Sequence, residues 1–358
     1  MAHVVDPQLL ELLRGMTPAE ASDLHLVPGN CPMYRTHGHL RRTSAQPASA
    51  ERVLAMVHSI TDDKNLSLVD STADLDFAVQ VQDGGVAHRF RVNVFSARGE
   101  RGACFRAIPT SIPTLDELGF PQALADRVTA LSSGLVLVTG ATGSGKTTSL
   151  AAMLQLLNAR GNCRIITIEQ PIEYVYPQCE ASIVTQREVG VDVPSFHEGL
   201  RSGLRQDPDV LLVGEIRDRE TAQLALSAAE TGHVIFGTLH SADAKGAISR
   251  LVDLFPAEQH DDIRGQLSMS LRFVMAQHLL AGVAEGRRVL AMEVLLANFA
   301  VASSIRQGKL EALDTAIQSG RKDGMWTLDA DLRRLVDLKR ITLETAREHA
   351  KDATEFLK

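Results

Sequence analysis

Gly140-Ala141-Thr142-Gly143-Ser144-Gly145-Lys146-Thr147 constrains this chain more than any other feature. The octet fits the GxxxxGK[ST] pattern without a mismatch. An apolar run, Leu135–Thr139, precedes it, and a helix-forming stretch, Thr148–Asn158, follows. Strand, glycine-rich turn and helix in that order imply a phosphate-binding loop. The glycines let main-chain N–H groups close around phosphate oxygens, and the helix N-terminus adds its positive dipole. Residues Gly140 through Thr147, with Thr148 in the first helical turn, are therefore the candidate nucleotide-binding residues. Lys146 reaches the β- and γ-phosphates of ATP, and the Thr147 hydroxyl is a candidate Mg²⁺ ligand.

Such a loop needs a folded α/β frame, and the flanking sequence has its signature. Leu135–Gly140, Arg164–Glu169, Val210–Glu215 and Val234–His240 are runs of β-branched residues and Leu, separated by helical patterns. Strands buried on both faces and alternating with helices imply a parallel, doubly wound sheet. Two of these runs end in carboxylates, Glu169 and Glu215, and ligands of such sheets gather at the carboxyl ends of the strands. Glu215 is the candidate to hold Mg²⁺ and its water, and Glu169 the candidate general base. Histidines bracket the last run. His240, at its carboxyl end, is a candidate γ-phosphate sensor, and His233 lies at the other end. From about residue 258 the chain reads as mainly helical, with one further strand near Val289–Leu296.

The first hundred residues read differently. A Leu-rich amphipathic helix over 5–22 precedes alternating runs at Asp23–Val27 and Pro32–Arg35, then a helical stretch at about 49–68. Leu75–Val81 and Arg89–Ser96 flank an Asp83-Gly84-Gly85 turn, and Gly102–Ile108 adds a strand. This is a small mixed α/β domain, 1–107, joined by a proline-containing linker, 108–118, to the phosphate-loop domain, 119–358.

Composition narrows the function classes. With 37 basic and 44 acidic residues the net charge is −7, and 4% aromatics leave little for base stacking, so no nucleic-acid partner is expected. Without an 18-residue apolar run, without a secretory signal in the first twenty residues, and with four cysteines lacking a CxxC, a cytoplasmic location is expected.

Four segments in order resemble the secretion-superfamily ATPases that drive type II secretion and type IV pili. Besides the phosphate loop, Ile168–Tyr174 is similar to their aspartate box. Leu204–Val210 with Gly214–Asp218 is similar to their Walker B segment, and Glu230–His233 with Thr238–Ser241 to their histidine box. The likeness runs from Ala21–Leu26 through Arg91–Phe95 to Gly324–Asp329. Size and layout resemble the pilus-retraction branch, since the extra N-terminal domain and the four-cysteine insertion of extension and secretion members are not seen. The resemblance implies an N-terminal PAS-like domain, then a RecA-like P-loop NTPase domain with a helical C-terminal tail. It implies a hexameric ring that retracts a pilus in twitching motility, lying at the inner membrane through a platform protein and working with a paralogous pilus ATPase. It also implies arginines of the N-terminal domain reaching the phosphates of a neighbouring subunit, with Arg91, Arg98 and Arg106 as candidates. A conjugation or type IVB secretion ATPase, or a weakly hydrolysing regulatory partner, are the alternatives within that likeness.

Two departures stand out. The aspartate box usually reads Glu-Asp-Pro, and here it reads Glu169-Gln170-Pro171. The retraction motif is reduced to Ala300, Ile305 and Arg306 within Ala300–Gln307.

Overall fold

The computed structural model describes residues 5–36, 38–61, 66–67, 69–70, 74–83, 86–109, 111–284 and 286–356. It divides into two compact units, Met1–Ser111 and Ile112–Lys358.

The first unit is built on a six-stranded antiparallel sheet. Its strands are β1 (Ala21–Leu26), β2 (Met33–Thr36), β3 (His39–Arg42), β4 (Leu75–Asp83), β5 (Val86–Ala97) and β6 (Glu100–Ile108), in the order β3-β2-β1-β6-β5-β4. Alternation decides which face is covered. Leu24, Phe105 and Val92 stand opposite one another across β1, β6 and β5 and are fully buried against the helices Pro7–Met16 and Ala50–His58. The opening helix is shorter than the 5–22 read from the sequence, because the chain turns into β1 at Ala21. Strand β3, all of it exposed, carries no apolar alternation and had no sequence signal. Gly84 and Gly85 of the expected turn, and part of the helical stretch at 49–68, lie outside the described residues.

The second unit holds a seven-stranded sheet: β7 (Gly134–Thr139), β8 (Cys163–Glu169), β9 (Ser182–Glu188), β10 (Val210–Val213), β11 (Val234–Leu239), β12 (Leu271–Ala281) and β13 (Arg288–Leu296). The order is β13-β12-β7-β11-β10-β8-β9, and every pairing is parallel except β12 with β13. Strands β7, β10 and β11 are buried at every position, which explains their unbroken apolar sequences. The sheet brings β8, β10, β11 and β7 side by side, so their carboxyl ends form one continuous rim.

The expectation of a single strand beyond residue 258 is corrected: two long strands lie there, β12 and β13. Leu271–Ala281 follows the helix His260–Ser270 directly, and an apolar run joined to a helix cannot be told from more helix by periodicity. Beyond β13 the chain is helical, from Phe299–Arg306 to Leu343–His349. Trp326 rejoins the sheet there: its main chain bridges Val294, and its indole N–H donates to the Met292 carbonyl at 2.9 Å.

Candidate active site

The phosphate loop leaves β7 and enters the helix Lys146–Arg160. Backbone geometry explains its glycines at two places. Gly145 caps the helix at φ +88°, a left-handed conformation that side chains resist. A Cβ at Gly140 would lie 2.5 Å from the Gln277 carbonyl oxygen and 2.6 Å from Ser144 Oγ, so no side chain fits. Ala141, Thr142 and Gly143 are exposed, while Ser144 and Lys146 are buried and Thr147 and Thr148 half-buried. The Thr148 hydroxyl bonds the Tyr174 hydroxyl at 3.0 Å.

Lys146 is 9% exposed, and its ammonium donates to the Gly140 and Ala141 carbonyls at 2.9 and 3.0 Å. Burial pulls its pKa down, and the carboxylates of Glu215 and Glu173 oppose that without cancelling it. A buried cation resting on the carbonyls of a phosphate loop is a cation short of anionic charge, which a polyphosphate supplies. Ser144 Oγ, buried in the same loop, has no hydrogen-bond partner among the described residues.

The two carboxylates differ sharply. Glu169, the last residue of β8, is 6% exposed, and its Oε1 accepts from Thr167 Oγ1 at 2.7 Å and Gln186 Nε2 at 3.2 Å. Thr167 is two residues back on the same strand face, so the pleat itself supplies one donor. Glu215 stands two residues beyond β10 and is half-buried. His240 Nε2 lies 3.6 Å from its Oε1, and the Arg217 guanidinium 3.7 Å from its Oε2. The fold thus brings Lys146, Glu169, Glu215 and His240 to one rim.

His240 follows β11 and is exposed. Burial of its ring and the nearby Lys146 ammonium lower its pKa, while Glu215 raises it. The imidazole is therefore held neutral at neutral pH. His233 is elsewhere, at the start of β11, with Nδ1 3.2 Å from the Ala228 carbonyl oxygen. That is a structural role.

Arg217 is the residue that sequence reasoning passed over, although it stands in the quoted Walker B segment. Its guanidinium donates to Gln170 Oε1 at 3.0 Å, approaches Glu215, and lies 5.4 Å from the Phe196 ring centroid. Gln170 is exposed where Glu169 is buried, because it lies one residue past the end of β8, yet it is linked to Glu215 through this arginine.

In the first unit, Arg91 and Arg106 are direct partners across β5 and β6. Arg106 Nε donates to the buried Asp23 at 2.9 Å, and Arg91 approaches Asp76 at 3.6 Å. Arg98 stands apart. It occupies the turn after β5 at φ +54°, seven residues beyond Arg91 and so about 23 Å along the hairpin.

The donors fit Mg²⁺. The Thr147 hydroxyl and the Glu215 carboxylate are hard oxygen ligands of the kind that hold magnesium together with phosphate oxygens and water. Among the described residues no three His, Cys, Asp or Glu side chains converge into a cage that would hold a metal by itself.

Residues 2–351 match the model of the family described as type II/IV secretion system protein. The chain is 45% identical to the type IV pilus retractation ATPase PilT of Pseudomonas aeruginosa, over 97% of this chain and 99% of that protein. It is 41% identical to a twitching motility protein of Neisseria gonorrhoeae, over 98% and 93% of the two chains. Among solved structures, the pilus retraction motor PilT with bound ADP superposes with a TM-score of 0.88 at 40% identity, covering 97% of this chain and 98% of that one.

Proposed function

The chain belongs to the type II/IV secretion system protein family, and from that premise we propose that it is a motor ATPase that retracts a type IV pilus. The observation that carries the chemistry is the buried Lys146 ammonium on its own loop carbonyls, at the N-terminus of a helix and beside Glu215. That arrangement receives the β- and γ-phosphates of ATP.

Each residue then has one task. The loop N–H groups and Lys146 bind and neutralise the phosphates. Thr147 and Glu215 hold Mg²⁺, which when bound screens the charge of the γ-phosphate. Glu169, oriented by Thr167 and Gln186, takes the proton of the attacking water. His240, neutral, stands beside Glu215 to register whether the γ-phosphate is present. Arg91 and Arg106, paired on one sheet face, are the better candidates to reach a neighbouring subunit's nucleotide in a hexameric ring, and Arg98 the weaker one. No helix among the described residues is long and apolar enough to cross a membrane. A membrane platform protein is the proposed partner through which its work reaches a pilus.

A strain lacking the protein tests this reading. Surface pili are expected to persist while twitching stops. Normal twitching, or loss of pili, would sink the retraction assignment.

A further inference from the structure

His240 is followed by a short loop, Ser241–Asp243, and then by the helix Ala244–Val252. The loop is tied at both ends. Ser241 N–H donates to Thr139 Oγ1 at 2.8 Å, and the two hydroxyls meet at 2.7 Å, which anchors the entry to the last residue before the phosphate loop. The exit is anchored to a distant part of the chain. Asp243 Oδ1 caps the helix by accepting from Gly246 N–H at 2.7 Å, and Asp243 Oδ2 accepts from Lys351 Nζ at 3.1 Å. The same ammonium donates at 2.9 Å to Glu293 Oε2, and Glu293 Oε1 accepts from Ala244 N–H at 2.9 Å.

Glu293 is 2% exposed. A carboxylate buried that deeply is tolerated only when paired and hydrogen-bonded, and Lys351 is its cationic partner. Lys351 is itself held in place, because the main-chain N–H groups of Lys351 and Asp352 donate to the two oxygens of Asp329 at 2.8 and 3.0 Å. Burial alone would lower the Lys351 pKa, but Glu293 and Asp243 outweigh it and raise it, so the ammonium keeps its charge. A helix cap needs neither a buried carboxylate nor a lysine more than a hundred residues away. What the cluster adds is a fixed exit for the loop that carries His240.

We propose that Lys351, acting through Glu293 and Asp243, is a positioning residue for ATP hydrolysis that sets the place of His240 beside Glu215. The inference rests on the ATPase reading of the site and assigns Lys351 no contact with the nucleotide.

Steady-state phosphate release by the purified full-length protein, measured against ATP concentration, tests it. Lys351→Met is expected to lower kcat about 5–20-fold while KM for ATP stays within about twofold, because position is lost and phosphate binding is not. Lys351→Arg is expected to restore most of the rate. Asp243→Asn keeps the helix cap and is expected to fold, with kcat down about 2–5-fold at unchanged KM. Wild-type kcat in Asp243→Asn, or a loss in Lys351→Met that appears in KM alone, overturns the proposal. So does a failure of Lys351→Arg to recover. Asp243→Asn decides the matter even where Lys351→Met does not fold. A wild-type chain that releases no phosphate overturns the ATPase reading and this inference with it. A hydrolysing wild type beside unaffected variants overturns this inference alone.

Discussion

The antiparallel sheet of the first unit carries charge in the middle of its strands, whereas the central strands β7, β10 and β11 of the second carry none along their length. Arg35, Asp23, Arg106 and Arg91 are successive partners across β2, β1, β6 and β5. Their row stands one residue from the buried row of Leu24, Phe105 and Val92. One covered face and one uncovered face permit this. In the second unit β7, β10 and β11 are buried throughout, so a charged side chain has room only where the strand stops. Glu169, Glu215 and His240 all stand at or just beyond such stops. The lesson is that layering decides where chemistry can be placed before any particular residue does.

Lys146→Ala attacks the strand-end site at its centre. Turnover should fall by about 10²–10³-fold or more, with weaker nucleotide binding, since the buried cation facing the phosphates is lost. Phosphate release near the wild-type rate would remove the phosphate loop from the mechanism. Glu215→Gln should cost turnover about 10–100-fold while binding persists, because the amide keeps its size and loses the charge that orders metal and water. Binding of a fluorescent nucleotide and phosphate release should therefore diverge. Equal behaviour in both would make Glu215 a spectator.

The open-faced sheet should respond in stability. Asp23→Ala removes the buried acceptor of Arg106 and should destabilise the first unit by about 1–3 kcal/mol. Denaturant unfolding should register that loss, and unchanged unfolding would break the contrast between the two sheets. The smallest effect belongs to Gln170→Asp. A carboxylate there would draw Arg217 away from Glu215, and an exposed pair is worth about 0.2–1 kcal/mol, so a rise in turnover of about two- to fivefold is the ceiling. The magnesium requirement should fall with it. Overlapping magnesium titrations for the two proteins would make position 170 structural.

The residues that local spacing can announce were readable in the chain. The glycines and lysine of the loop are a contiguous pattern, and Glu169, Glu215 and His240 follow apolar runs whose lengths mark strands. What could not be read depends on which strands become neighbours. Gln186 reaches Glu169 because β9 pairs with β8, and Gln277 packs on Gly140 because β12 pairs with β7. Neither strand was foreseen: β9 is a mixed polar strand at the sheet edge, and β12 continues a helix without a break. Lys351 and Glu293 are 58 residues apart, and nothing in local periodicity joins them. Arg217 stood in plain view inside a recognised segment, and only its contacts gave it a role.

The Trp326 bridge to β13 makes the chain its own optical probe. It is the only tryptophan in 358 residues, so indole emission reports one place, and its N–H rests on the carbonyl next to buried Glu293. Light emitted from that ring follows the strand linking the C-terminal helices to the loop after His240, with no dye attached and no residue exchanged.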